Sequence, residues 1–158
     1  SPALKMGFRP INLDMIGLKD DFPFDRALLG RRQASEKIQA EDYDRMRSLR
    51  VHGNTGIYQM QCGAWARYDN LDFGGGGFKH CLVKWCPDPS SQGDQARQGI
   101  VEFRLGSPSG EAIGVLHANQ DACSIRDVCG IHSLYVCFPE GLNTMIDYFL
   151  FENALKVR

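Results

Sequence analysis

The sequence predicts an all-β protein, a jelly-roll β-sandwich of two antiparallel sheets. Apolar and polar residues alternate with a period of two in several short stretches, which is the pattern of half-buried strands. Clusters of Gly, Pro, Ser and Asn separate these stretches, as expected for turns. No stretch shows the sustained 3.6-residue periodicity of a long amphipathic helix. Two sheets packed over one core are the architecture that this pattern favours.

Composition limits the number of domains and the class of partner. The chain has 158 residues, 43% hydrophobic and 23% charged, which is typical of one soluble domain with a substantial core. A formal net charge of −1 provides no long-range field for nucleic acid or an anionic membrane. No apolar run approaches the roughly 18 residues of a membrane span, and none is typical of a signal peptide. Because the sequence opens at Ser1, we expect a processed fragment or an excised domain.

The central element is a predicted β-hairpin in residues 99–116. Val101, Phe103 and Leu105 place apolar side chains on one face of its first strand, with polar residues between them. Residues 106–110 (Gly-Ser-Pro-Ser-Gly) supply the turn, and apolar residues then return. With the later strands, the hairpin predicts a core that includes Phe103, Leu105, Leu134, Val136, Phe138, Ile146 and Tyr148.

Residues 1–35 do not follow this strand pattern. They carry too many apolar residues for a free linker. We therefore interpret them as an arm lying over the sandwich or as the remnant of an upstream segment, and residues 36–158 as the module itself.

Six cysteines predict disulfide bonds and an oxidising environment. Cys123 and Cys129 flank a short polar segment and are expected to staple a loop, which typically stabilises by about 2–4 kcal/mol. The other four cannot be paired from the sequence. A zinc site is an alternative, since His132 follows Cys129 and His80 adjoins Cys81, but no Cys-x-x-Cys motif is present.

Three motifs, in the expected order, resemble family 6 carbohydrate-binding modules. They are "IQAEDYD" at 38–44, "VEFRLGSPSGEAIGVL" at 101–116 and the strand at 131–138; the closing stretch at 143–151 also fits. The resemblance covers about residues 37–151. It implies a β-sandwich module that binds polysaccharide or glycan without catalysis and is secreted or extracellular.

The resemblance also implies a structural Ca²⁺. In this family the Gln and Glu of the first strand hold calcium where the first and last strands run side by side. Gln39 and Glu41 are two residues apart and would point from one face. Glu152 is expected as a further ligand, with carbonyl groups of residues 45–50 completing six to eight oxygens. The alternative is that Glu41 and Asp42 are solvated edge carboxylates.

The family's sugar site at the loop end of the sandwich is changed in this sequence. Gln59 stands where the family carries a sugar-stacking tyrosine, and Tyr58 is one residue away. Met145 stands where an asparagine bonds sugar, although Asn143 or Thr144 is a substitute. The loop that usually presents a tryptophan contains no aromatic residue. We therefore expect this site to be altered or lost.

Some family members bind sugar instead on the concave face, through a tryptophan that corresponds to Trp65. On that face Arg67, Glu102, Arg104 and Asp147 are candidates for hydrogen bonds to sugar hydroxyls. The alternative is that Trp65 is a partly buried sheet residue with no ligand.

Carbohydrate binding is therefore the leading function. A protein-interaction or structural module that has kept the fold and lost sugar binding is the alternative. We do not expect an enzyme: a glycosidase needs two carboxylates about 5–9.5 Å apart across a cleft, and no motif pairs Glu102, Glu111 or Asp147 in this way.

Overall fold

The computed structural model describes residues 30–53, 56–87 and 96–153, which form twelve strands and no helix. The strands are β1 (Arg32–Gln33), β2 (Ile38–Gln39), β3 (Arg45–Arg47), β4 (Leu49–Val51), β5 (Ile57–Gln59), β6 (Ala64–Asp72), β7 (His80–Cys86), β8 (Ile100–Leu105), β9 (Ala112–His117), β10 (Ala122–Ser124), β11 (Ile131–Phe138) and β12 (Met145–Glu152). The all-β prediction is confirmed.

The strands form two sheets of six. The front sheet has the order β1-β6-β11-β8-β9, with β3 also paired to β6. The back sheet has the order β10-β7-β12-β5-β4, with β2 also paired to β12. All pairs of strands are antiparallel except β1 with β6. The β-sandwich expected from the sequence is therefore present.

The predicted hairpin is β8 and β9. Leu105 N–H donates to the carbonyl of Glu111 at 3.1 Å, which closes the hairpin. Gly106 has φ 79°, a left-handed conformation that glycine adopts without a steric penalty. Arg104 spans the turn and donates from Nη1 to the carbonyl of Gly110 at 2.6 Å. The turn thus fixes a charged side chain as well as the strand register.

Buried aromatic rings fill the space between the sheets. On β12, Phe149 makes a tilted contact with Phe103 of the front sheet at a centroid distance of 6.1 Å, and Phe151 makes an edge-on contact with it at 6.2 Å. Tyr68 is fully buried and donates its hydroxyl proton to the carbonyl of Ala40 at 2.6 Å. Of the predicted core residues, those fully inside are Phe103, Leu134, Val136, Phe138 and Ile146, and Leu105 packs partly buried against them.

Tyr148 is not a core residue, so that prediction is wrong. The pairing of β12 with β7 shifts between Ile146 and Tyr148, which leaves Asp147 as an extra residue. A bulge of this kind reverses the alternation of faces along a strand. Phe149 takes the core position, and the ring of Tyr148 lies on the outside with Lys37 Nζ 4.1 Å from its centroid.

The sandwich includes part of the segment expected to be an arm. β1 pairs with the end of β6, and Ala34 is fully buried. Arg32 donates to Asp44 Oδ2 and to two backbone carbonyls at 2.7–2.9 Å. Residues 32–35 therefore belong to the sandwich, and residues 1–29 of the arm predicted for 1–35 lie outside the described residues.

No disulfide bond joins any of the six cysteines, all of which lie in the described part of the chain. The residue opposite Cys123 across the strand pair β7–β10 is Cys81, not Cys129. The disulfide between Cys123 and Cys129 therefore stays a prediction.

Candidate functional site

Two rows of side chains cross the outer face of the front sheet, here called the front face. In an antiparallel ladder, directly opposed residues project from the same side of the sheet. The strand registers align the first row as Arg47, Trp65, Cys137 and Glu102, and the second as Arg45, Arg67, Tyr135 and Arg104. β6 orients its members of these rows because Ala64, Ala66 and Tyr68 face the core.

Trp65 lies at the edge of a depression of about 350 Å³ on this face. Its half-buried ring packs edge-on against Tyr135, with centroids 5.3 Å apart and planes at 60°. The lining also includes Glu102, Arg104 and the hairpin residue Pro108. The structure thus brings together three of the residues predicted for the concave-face site.

Arg104 and Glu102 form a fixed ion pair within this depression. Nε and Nη2 of Arg104 each lie 2.8 Å from Oε2 of Glu102. The remaining terminal nitrogen, Nη1, is held by Gly110. Charge-assisted bonds of this geometry orient both side chains before any ligand arrives.

Arg67 belongs to the same face but is engaged with its neighbours. Its Nη2 lies 3.0 Å from Asp69 Oδ2, and the other oxygen of Asp69 accepts the Ser133 hydroxyl at 2.8 Å. A hydrogen bond with Tyr135 and the charge of Asp69 raise the pKa of the Arg67 guanidinium. Arg67 therefore presents a permanent positive charge at a defined position.

Asp147 does not join these residues, so its assignment to this face is wrong. It lies on β12 in the back sheet, where its backbone carbonyl accepts the N–H of Ala40 at 2.9 Å. The sequence pattern does not reveal which sheet the last strand enters, and that choice decides which residues share a face.

The loop end contains a second depression, of about 370 Å³, lined by Gln59 and Asn143 but by no aromatic residue among the described ones. Gln59 Nε2 donates to the carbonyl of Gln61 at 2.7 Å, and its Oε1 accepts the N–H of Leu142 at 2.8 Å. Asn143 Oδ1 accepts the N–H of Gln98 at 2.7 Å. Both amides are thus used to join backbone segments.

Tyr58 does not replace the missing stacking tyrosine. It lies opposite Arg50 in the β4–β5 pair and projects from the other side of β5 than its neighbour Gln59. The lining of the loop-end depression includes Gln59 but not Tyr58. Tyr58, the neighbour of the stacking position, is therefore not brought into the loop-end depression.

The residues predicted to bind calcium are only partly together. Gln39 lies opposite Tyr148, and Glu41 follows two residues later. Glu152 lies opposite His80 at the far end of β12. Cys86 lies at the other end of β12. Burial and the charges of Asp147 and Glu41 raise the pKa of its thiol to about 11.

Glu152 therefore cannot share an ion with Glu41. Cys86 lies opposite Met145, seven residues from Glu152 along β12, which is roughly 20 Å of strand. Asp147, by contrast, accepts the N–H of Ala40, the residue before Glu41, through its backbone carbonyl. Glu41 Oε2 is buried and has no hydrogen-bond partner among the described residues. A buried acceptor of this kind fits a cation ligand.

The described residues contain no group of three or more His, Cys, Asp and Glu side chains spaced to hold a metal ion. His132 instead bonds through Nε2 to the carbonyl of Cys129 at 2.7 Å. Its ring packs edge-on to Phe73 at 6.1 Å. This gives His132 a structural role.

Arg45, Arg47 and Tyr135 are the front-face residues that the sequence analysis did not single out. β3 reads Arg-Met-Arg, and this alternation places both arginines on one side. With only three residues, the pattern does not by itself distinguish a strand from a polar loop.

No protein-family model matches the sequence. Endo-1,4-beta-xylanase A of Thermoclostridium stercorarium is 24% identical over 140 residues, which cover 79% of this chain and 20% of that protein. A second match, to an endo-1,4-beta-xylanase A of the same organism, is 23% identical over 160 residues and covers 92% of this chain and 29% of that protein. The chain thus spans less than a third of the length of these relatives.

Solved structures show the same fold. The module CsCBM6-3 from Clostridium stercorarium, in complex with cellobiose, has a TM-score of 0.65 and 25% identity, covering 78% of this chain and 98% of that one. A family 6 carbohydrate-binding module from Clostridium cellulolyticum, in complex with xylose, gives 0.63 and 23%, covering 77% and 99%. A β-1,3-glucan-binding CBM6 from Bacillus halodurans gives 0.64 and 23%, covering 77% and 98%.

The fold is therefore that of the family 6 carbohydrate-binding modules, which this chain resembles over about three-quarters of its length. Among the described residues, no helix has the length and apolar character to cross a membrane.

Proposed function

We propose that this chain is a non-catalytic carbohydrate-binding module whose site is the front face around Trp65. The observation that carries the proposal is the position of Trp65 beside the fixed Arg104–Glu102 pair, within one depression. A pyranose ring has apolar C–H faces that bury well against an indole ring. The charged pair then supplies a donor and an acceptor for the hydroxyl groups at the ring's edge.

The rigidity of the pair favours binding. Arg104 is held at all three guanidinium nitrogens, by Glu102 and by the carbonyl of Gly110. Side chains that are ordered before binding lose little conformational entropy when the ligand arrives. Binding on this face therefore needs no rearrangement of the hairpin.

The ligand class that the relatives support is a plant- or microbe-type β-glycan. The solved neighbours were determined with cellobiose or xylose or are described as binding β-1,3-glucan, and the curated relatives are xylanases. By this analogy the chain is an extracellular module that serves a polysaccharide-degrading enzyme or a recognition protein.

The chemistry of the front face favours binding without catalysis. Glycoside hydrolysis requires a proton-donating carboxylic acid and a second carboxylate across a cleft. Glu102 is the only carboxylate among the described residues that line the depression, and it forms an ion pair with Arg104. This arrangement can accept a hydrogen bond but has no second carboxylate to act on a glycosidic bond.

We propose that a structural calcium, where bound, is held by Gln39 and Glu41 with Asp147 in place of Glu152. The buried Oε2 of Glu41 and the backbone hydrogen bond between Ala40 and Asp147 support this set. Carboxylate and amide oxygens are the ligands that Ca²⁺ takes in proteins. Such an ion would join the turn after β2 to the bulge of β12.

The alternative function is a protein-interaction module, and the loop-end depression favours it. That surface has no aromatic residue among its described lining, and it contains the exposed side chain of Met60. Exposed Met is common in protein interfaces and uncommon in sugar sites.

A glycan array tests the proposal, with the wild-type protein compared with the two single variants Trp65→Ala and Tyr58→Ala. We expect binding to β-glucan or xylan probes that Trp65→Ala abolishes and Tyr58→Ala preserves. Loss of binding with Tyr58→Ala and retention with Trp65→Ala would move the site to the surface of the back sheet around Tyr58. A blank array for the folded wild-type protein would favour the protein-partner function.

A further inference from the structure

The front face carries two arginines that its sugar-binding groups do not use. Arg47 lies directly opposite Trp65, and Arg45 directly opposite Arg67. All three residues of β3 are exposed. No ion pair or hydrogen bond of the Arg45 or Arg47 side chain occurs among the described residues. Their charges are therefore available to a ligand.

The charge of the front face differs from that of the chain. The two rows hold four arginines, and Glu102 and Asp69 are the carboxylates bonded to them. Each carboxylate neutralises one arginine, which leaves a formal charge of +2 on this face. The whole chain has a net charge of −1. The positive charge is thus concentrated beside Trp65.

We propose that the front face binds an anionic polysaccharide, one whose sugar rings carry carboxylate or sulfate groups. This inference rests on the proposed carbohydrate-binding function and specifies its ligand. A ring stacked on Trp65 would place its substituents beside Arg47, because directly opposed Cβ atoms are only about 5 Å apart. Arginine binds carboxylate and sulfate oxygens through two parallel N–H bonds.

The spacing of the arginines suits a repeating ligand. Arg45 and Arg47 lie two residues apart on one side of β3, which corresponds to about 6.5 Å. Successive acidic groups along a polysaccharide could therefore contact them in turn. Arg67, which is paired with Asp69, lies next to Arg45 and supplies N–H donors rather than net charge.

Protection of a sheet edge is the competing explanation for these arginines. β3 lies at the side of β6, and charged residues on edge strands prevent pairing with other chains. Edge protection requires only that β3 carry charged residues, whereas binding of an anionic glycan requires positive charge beside Trp65. A comparison of glycans that differ in charge alone distinguishes the two.

The experiment measures affinity of the full chain by titration calorimetry for glycan pairs with one backbone. Polygalacturonate against its methyl ester tests carboxylate, and κ-carrageenan against chemically desulfated κ-carrageenan tests sulfate. We expect at least about tenfold tighter binding to one or both charged members, equivalent to about 1.4 kcal/mol. The preference should weaken at about 1 M salt, where charges are screened within about 3 Å.

Three variants complete the design. The double variant Arg45→Ala, Arg47→Ala should remove the preference for charged glycans, and Arg45→Lys, Arg47→Lys should retain part of it. Arg50→Ala is the matched control, since Arg50 is an exposed arginine on a short strand of the back sheet. Unfolding temperatures confirm that each variant is folded.

The outcomes separate this inference from the proposed function. Equal affinity for neutral and charged glycans, lost with Trp65→Ala and unchanged in the double arginine variant, overturns the inference and leaves the proposed function intact. Charged-glycan binding that survives Trp65→Ala overturns the inference as non-specific polyanion binding. Absence of binding to all four glycans overturns the inference, whereas the proposed function is overturned only if the β-glucan and xylan probes also fail to bind.

Discussion

Two nitrogens of Arg104, Nε and Nη2, lie at the same distance of 2.8 Å from one carboxylate oxygen of Glu102. Because the third nitrogen is bonded to Gly110, this contact couples the hairpin turn to the front face. The turn residues that the sequence pattern marks therefore act on the binding surface as well as on the fold.

Arg104→Lys should weaken glycan binding about tenfold or more while changing stability little. Lysine carries one charged nitrogen and cannot hold Glu102 and the Gly110 carbonyl together. A partly exposed ion pair contributes only about 0–1 kcal/mol to folding. Calorimetric titration and thermal unfolding measure the two effects. Arg97→Lys, which alters the Arg97–Asp121 pair elsewhere, is the control; equal losses in both variants would contradict the assigned role.

Gln59→Ala should lower the free energy of unfolding by about 1–3 kcal/mol and leave glycan affinity unchanged. The substitution leaves the N–H of Leu142 without its acceptor, and buried donors that lose a partner are costly. Urea unfolding measures the effect. Gln61→Ala is a matched control because only the backbone carbonyl of Gln61 takes part in this contact. Loss of glycan binding with intact stability would instead make Gln59 a ligand-binding residue.

Chelation should lower the unfolding temperature of the calcium-loaded protein, and Glu41→Gln should remove this response. Glu152→Gln should retain it, because Glu152 lies at the other end of β12. The measurement is thermal unfolding with and without a chelator for each protein. The opposite pattern, with Glu152 required and Glu41 dispensable, would restore the ligand set predicted from the sequence.

The first disulfide to form with oxidised glutathione should join Cys81 and Cys123. These residues are directly opposed in the β7–β10 ladder, where Cα atoms lie about 4.5–5.5 Å apart, within the range of a disulfide. The two cysteine thiols are oxidised to the disulfide, and oxidised glutathione accepts their two electrons and two protons and becomes two molecules of reduced glutathione. Burial raises the pKa of the Cys81 thiol, and burial raises that of Cys123 to about 11.

Because the thiolate is the reacting form, the rate should increase with pH across the alkaline range. Peptide mapping by mass spectrometry identifies the pair, and Cys129→Ser should not change it. A bond between Cys123 and Cys129 would show instead that the loop staple predicted from the sequence forms.

Asp44→Asn should reduce stability near neutral pH and flatten its dependence on acid. Burial acts to raise the pKa of the Asp44 carboxyl, but bonds from Arg32 and the Asp69 N–H, both 2.7 Å long, lower it overall. A lowered pKa in the folded state contributes stability that is fully present above the unfolded value of about 4 and is lost as pH falls. Urea midpoints measured from neutral pH to below pH 4 test this, with the exposed Asp42→Asn as control.

The sequence predicted the parts of the fold that are set by local alternation. β8 and the second half of β11 alternate with a period of two, and β11 has the bounds expected for it. The resemblance to family 6 modules places Trp65, Glu102 and Arg104 on one face, and the structure brings them together. Tyr148 was misplaced because a single extra residue at Asp147 reverses the faces, and no composition signal marks that bulge.

The positions of other residues relative to the candidate sites depend on which strands pair. Glu152 was assigned to the calcium site because the first and last strands are neighbours, but the register sets which end of β12 meets Glu41. Arg45 and Arg47 gain their meaning only from pairing with β6. Register is a property of the assembled sheet, so the sequence of β3 alone does not contain it.

The amides of Gln59 and Asn143 make the loop end a poor place for new ligands to evolve. An aromatic side chain at either position would create a stacking surface and at the same time break the bonds that hold Leu142 or Gln98. An aromatic substitution at either position would therefore raise ligand affinity while lowering the stability of the fold. On the front face, ligand affinity and folding stability are nearly independent, since the side chains of Arg45 and Arg47 form no ion pair among the described residues. Changes of ligand preference in this chain should consequently accumulate on β3.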